Sequence, residues 1–308
     1  VIPLWIEKPA SLPSPYKTLF RIPAVDENVV QKLREEISEE HMSNRILLFL
    51  HHLKGIEIRD HLSGVSRSIE KSLHKREENH EIYLIQEYIN GELRTQEYWL
   101  VFRSVCDVPP EVKKDRITKD WEREKVKRRE VVVAFKLDGD ENLMIEESGT
   151  AHTGVFSFLP LKEVPSGLNF LIQADFLTTP GRSARECLWN EWLAKEIYKL
   201  IVEKCIPAFI KDQKWRMRFV RVLYSPWGGH QLFENYIKSP LREQLQKGAY
   251  IIASDGSVIR PTEAVIIEHE IKELIDENSL RQLYHGKKTL HHECELPSDI
   301  RWLAEEGS

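Results

Sequence analysis

The residues with the clearest chemical potential lie at one junction, Thr178-Thr179-Pro180-Gly181-Arg182, directly ahead of the run SARE at 183–186. Pro and Gly mark a loop. Ser followed three residues later by Glu is a capping-box pattern, with Ser183 as N-cap and Glu186 at the third helical position. A helix N-terminus presents backbone N–H groups without intrahelical partners and carries a partial positive charge. An arginine there gains nothing from that dipole, so Arg182 beside Thr178, Thr179 and Gly181 suits an anion such as phosphate. The same residues also describe a solvated loop arginine with two turn-forming threonines, and at this level both readings stand.

Two elements must position that loop. Leu168, Phe170, Ile172, Ala174 and Phe176 fall on alternate positions with Asn169, Gln173 and Asp175 between them, a period of two that predicts a strand with one buried face. After the loop, Trp189, Trp192, Leu193, Ile197, Leu200 and Ile201 recur at helical spacing, which predicts a helix that Pro207 stops.

Upstream, residues 26–54 read as two helical segments, one carrying Val29, Val30, Leu33 and Ile37, the other Ile46, Leu47, Leu50 and Leu53. Ile56–Ile58, Val65–Ile69, Ile82–Tyr88 and Tyr98–Val105 are strands of an antiparallel meander, with Asn90-Gly91 as a two-residue hairpin turn. Residues 111–129 are densely charged and read as a solvated helix running into the buried strand Val131–Phe135. Lys125–Arg129 resembles a basic patch, but Glu122, Glu124 and Glu130 interleave with it. Asp138–Asn142 is a turn with calcium-like acidic spacing but no closing glutamate. Downstream, Leu232–Leu245 reads as a helix interrupted near Pro240, and Ser254-Asp255-Gly256 as a hairpin turn. His51 and His52 lack a third ligand. His285, His291, His292 and Cys294 match no compact zinc spacing, so no metal is expected.

The 308 residues are 41% hydrophobic and 30% charged, with a formal net charge of −5. That balance gives no global electrostatic case for nucleic acid or an anionic membrane. No apolar run approaches the roughly 20 residues that span a bilayer. Four scattered cysteines are no disulfide framework and point to a reducing, cytoplasmic setting. The sequence holds no P-loop, GxGxxG, HExxH, GxSxG or CxxC.

The runs VFSFLPL, GLNFLIQADFLTTPGR and WNEWL together resemble the region that follows the ATPase domain in sacsin-like and plant No-vein-like proteins, members of the GHKL superfamily with the heat-shock protein 90 chaperones. IPLWIEKP and YKTLFRIP near the start resemble the last strands of a GHKL nucleotide-binding domain, with Lys17 where the family has Gly and with Thr18 retained. ILLFLHHLKGIEI is similar to the family's helix-then-strand entry into its middle region. The likeness covers residues 1 to about 205.

The resemblance implies an α+β chain: a mixed or antiparallel sheet with helices on one face, as in a GHKL middle domain. Residues 1–25 would be remnant strands of an ATP-binding domain, 26–207 the middle-type domain, and 208–308 a smaller C-terminal α+β region. It implies that Arg182, or Arg185 if the register slips, contacts the γ-phosphate of ATP, with Thr18, Thr178 and Thr179 at the cofactor. The catalytic glutamate, magnesium-binding asparagine and glycine-rich lid would lie before Val1. The chain alone is therefore expected neither to bind ATP tightly nor to hydrolyse it, ATP and Mg being cofactors only of a longer protein. Its partners would be an upstream ATP-binding domain, in cis or in trans, and client proteins in a chaperone-like role, with neither nucleic acid nor membrane. The alternative is a non-enzymatic interaction scaffold using the tryptophan-rich helix (Trp189, Trp192).

Overall fold

A computed structural model of the chain describes residues 26–38, 42–145, 154–161, 164–179, 184–267 and 275–296. The chain divides into two compact units, residues 1–43 and 44–308. In the first, helix α1 (Glu27–Glu36) starts at Asp26, whose carboxylate accepts the Val29 N–H at 3.0 Å, a side-chain N-cap.

The second unit is α+β and is built on one mixed eight-stranded sheet. Strands β1 (Gly55–Asp60), β2 (Val65–Arg76), β3 (Glu81–Ile89), β4 (Glu92–Asp107) and β5 (Arg128–Leu137) form an antiparallel meander. Then β8 (Leu171–Gln173) pairs antiparallel with β5, β6 (Val155–Ser157) runs parallel to β8, and β7 (Leu159–Pro160) closes the edge. The β3–β4 turn is Asn90-Gly91, both at positive φ (51° and 85°), the backbone that a two-residue hairpin requires.

The register sorts side chains onto two faces. Leu100 and Phe102 of β4 lie opposite Phe135 and Val133 of β5, while Trp99, Val101 and Arg103 lie opposite Lys136, Ala134 and Val132. The first set belongs to the main hydrophobic core, which extends through the long helices to Leu245 and the hairpin of β9 (Ile251–Ile252) and β10 (Val258–Ile259). The second face carries the short helix α2 (Ile46–Phe49), all four residues buried. Helices α3 (Pro110–Lys114) and α4 (Arg116–Asp120) lead into β5, and Asp115 caps α4 through the Thr118 N–H.

Three features depart from the sequence reading. The stretch Leu168–Phe176 is extended in the sheet only over β8, and Asn169, Gln173 and Asp175 are buried along with their apolar neighbours. The alternation there does not separate core from solvent; it separates two buried sides, one lined by polar groups with partners. The helix after the loop, α5, spans Leu188–Leu200 with Cys187 as N-cap, so it starts later than the SARE pattern implies. Ser183 lies outside the described residues.

Nor does Pro207 stop the helix. Residues Ile201–Cys205 form a π turn, in which the Ile206 N–H reaches back to Ile201 O, and α6 (Ile206–Lys211) continues beyond it. A proline lacks an N–H and its ring collides with the carbonyl four residues earlier. Widening the preceding turn by one residue moves that carbonyl away. The same device recurs before Pro240: α8 (Gln231–Phe233) passes through the π turn Glu234–Lys238 into α9 (Ser239–Lys247). Between them lies α7 (Phe219–Leu223). The helix thus crosses position 207/208 without a break, and one core extends to both sides of it.

Candidate functional site

The stem of the predicted loop is fixed from both sides. Thr178 bridges Ala184 in a single antiparallel pair, and the Arg185 N–H donates to Leu177 O at 3.0 Å. Beneath them sits Asn190, fully buried on α5. Its side-chain oxygen accepts the Leu177 N–H, and its amide nitrogen donates to Leu177 O and to Arg185 O, each at 2.8 Å. One amide thus satisfies both flanks of the loop, where unpaired backbone groups would otherwise be buried at a cost. One residue earlier in the chain, the Trp189 indole N–H donates to Asp175 O at 2.8 Å.

Around this stem stand three arginines. Arg129 donates to Asp175 Oδ2 at 2.6 Å and Arg123 to Asp175 Oδ1 at 3.2 Å, so two guanidinium groups share one nearly buried carboxylate. Arg129 also lies over the Trp189 ring at 5.9 Å, and Arg185 over Trp121 at 5.7 Å, within reach of cation–π attraction. The Nε atoms of Arg123 and Arg185 are buried without hydrogen-bond partners, as is the indole nitrogen of Trp192. Buried donors left unmatched are uncommon and call for an acceptor. Guanidinium and indole N–H groups stay protonated throughout the physiological range. The cluster therefore suits charge stabilisation of an anion and not proton transfer.

Of the residues expected at the site, Thr178 and Thr179 are half-buried in the stem, and Arg185 adjoins it. Arg182 and Thr18 lie outside the described residues. Trp189 and Trp192 are buried, packed edge to face at 5.4 Å, so neither offers a surface to a partner. Asp175, Arg123, Arg129 and Asn190 are residues of the candidate site that sequence reasoning missed. The signals available in the sequence are an asparagine on the apolar side of a helix and a strand whose polar residues alternate with apolar ones.

Other chemistry-bearing groups are accounted for differently. Burial, with Glu196 alongside, pushes the Cys106 thiol up to about 12, and burial also raises Cys187 and Cys205; such thiols are poor nucleophiles. The acidic turn is closed by Asp138, which accepts the backbone N–H groups of Asp140 and Asn142, so its carboxylate is engaged in the hairpin. A cleft of about 300 Å³ is lined by Tyr224, Glu234, Lys238 and Arg242, and its Lys238 and Glu234 pair with each other at 2.8 Å. Among the described residues, no helix is long and apolar enough to cross a membrane. Compared with known proteins, the chain matches no protein-family model, no curated protein and no solved structure.

Proposed function

We propose that this chain is the C-terminal portion, or a split partner, of a sacsin-like GHKL ATPase, and that the loop on the Asn190 stem couples nucleotide state to conformation. In this reading Arg182 reaches the γ-phosphate of ATP and Mg held by an ATP-binding domain in cis or in trans, and the eight-stranded sheet is the middle-type domain. The observation that carries the reading is the stem: a loop clamped at its base by a buried amide and ringed by Arg123, Arg129 and Arg185, two of them with buried unmatched Nε donors.

A rigid stem is what such a role needs, because an arginine acts on a phosphoryl group only when held at a fixed distance from it. The test is turnover of the assembly that includes the ATP-binding domain. Arg182→Ala is expected to lower it by about a thousandfold, while Arg185→Ala changes it less, because the cation there stacks on Trp121. Unchanged turnover for Arg182→Ala removes the catalytic role and leaves an interaction scaffold as the better account.

A further inference from the structure

The turn His291-His292-Glu293 holds three metal-capable side chains on consecutive residues, far in the chain from the arginine-ringed stem. One donor atom from each lies within 4.8 Å of the other two. The imidazole rings stack with centroids 4.5 Å apart, and His292 Nε2 stands 3.9 Å from Glu293 Oε1. His291 Nδ1 accepts the Glu293 N–H at 3.2 Å, which fixes that ring in the turn; a metal bound through this nitrogen takes the place of that hydrogen bond.

The backbone of this turn is held at both ends. His291 N–H donates to Ile252 O at 2.9 Å, and Leu290 forms a bridge with Ala253. Beyond the turn, Cys294 N–H returns to His291 O at 3.0 Å and Glu295 N–H donates to Met217 O at 2.8 Å. The Glu295 carboxylate is gripped by Arg218 at 2.6 Å and Arg221 at 2.7 Å. Little backbone entropy is left to lose on binding, which favours a preorganised site.

We propose that His291, His292 and Glu293 form a binding site for a borderline-soft divalent transition-metal ion such as Zn²⁺, Ni²⁺ or Cu²⁺. Two imidazoles and one carboxylate select these ions over Mg²⁺ and Ca²⁺, which prefer all-oxygen shells. In a tetrahedral set the donors stand about 3.3 Å apart, which side-chain rotation reaches from the present spacing. With three protein ligands, water takes the remaining positions, as at open metal sites. Because the ion would bind the folded turn and not the unfolded chain, its effect is to stabilise the folded state.

The site is tested with the untagged full chain, titrated with ZnCl₂ and, separately, NiCl₂ by calorimetry. One equivalent is expected to bind, with a rise in melting temperature. His292→Ala and Glu293→Gln, both at exposed positions, are each expected to weaken binding by at least about tenfold. His52→Ala, in the other adjacent histidine pair, should leave it unchanged. The proposal is overturned by no bound zinc or nickel, by equal affinity in both turn variants, by equal loss in His52→Ala, or by Mg²⁺ binding as tightly as Zn²⁺.

Discussion

On the sheet face that carries Leu100, Phe102, Val133 and Phe135, a single side chain, Phe209 of α6, meets Phe102, Phe135, Trp215 and Phe219 with ring centroids 5.0 to 6.0 Å apart. On the opposite face, the residues around α2 are held by charged groups aimed at particular atoms. Lys71 Nζ donates to Leu47 O at 2.6 Å and Leu50 O at 2.9 Å, Arg103 donates to Leu48 O at 3.1 Å, and Arg45 pairs with Glu97 at 3.2 Å while lying over Trp99. A four-residue helix is too short to hold itself, and its last carbonyls have no intrahelical partners. The cations of the sheet supply them. The apolar face needs only shape and volume; the α2 face needs named donors at named places.

The most damaging way to test this contrast is to empty the apolar face. Phe209→Ala removes a fully buried ring from the centre of its aromatic contacts and is expected to cost about 4 kcal/mol. Urea unfolding monitored by tryptophan fluorescence measures it. A loss below about 1 kcal/mol would mean that the helices do not depend on this packing.

The polar side is sharpened by the ion pair Arg67–Glu87, both members nearly buried, where Glu87 also accepts from Thr95 at 3.2 Å. Arg67→Met leaves a carboxylate without its cation in a site closed to water, at a cost of about 3 kcal/mol. Replacing both, Arg67→Met with Glu87→Met, is expected to recover most of that loss, because a buried pair contributes little over apolar side chains of similar volume. The same unfolding measurement decides it: if the double variant is no better than the single one, the pair holds the α2 face by more than mutual neutralisation.

The meander and the loop stem also differ in how much the sequence discloses. Asn90-Gly91, the alternation in β2 to β4 and the five apolar residues Val131–Phe135 all act locally, so the meander is legible without any tertiary information. The loop stem is not local. Asn190 matters because Leu177 and Arg185 lie above it, and Asp175 because Arg123 and Arg129 arrive from another strand and turn some fifty residues away. Read alone, Asp175 looks like the solvent side of a strand. Pro207 and Pro240 look like stops because the π turn that accommodates each is a response of the preceding turn and leaves no mark in residue type. The SARE pattern is a sound cap signal, but Ala184 bridges Thr178 and Arg185 bonds to Leu177 in the stem, and the helix begins only at Leu188.

The smallest expected effect, and the most specific to the α2 face, comes from Lys71. Burial, reinforced by the nearby Arg103 cation and opposed by Glu81, lowers its pKa from 10.5 to about 8. The unfolded chain keeps the ordinary value. Between pH 8 and 10.5 the unfolded state therefore holds a proton that the folded state has released, and the stability contributed by this site rises with pH across that window. Below pH 8 both states are charged and the burial cost is felt in full. A neutral amine still has two N–H donors, enough for Leu47 O and Leu50 O, so deprotonation relieves the burial and the repulsion from Arg103 without undoing either bond. Comparing urea midpoints of the native chain with Lys71→Met at pH 8 and pH 10 cancels the other titrating groups. The advantage of the native chain over Lys71→Met is expected to grow toward pH 10. An advantage equal at both pH values would show that Lys71 stays charged on folding, and that the charge itself, beyond its donors, holds α2 against the sheet.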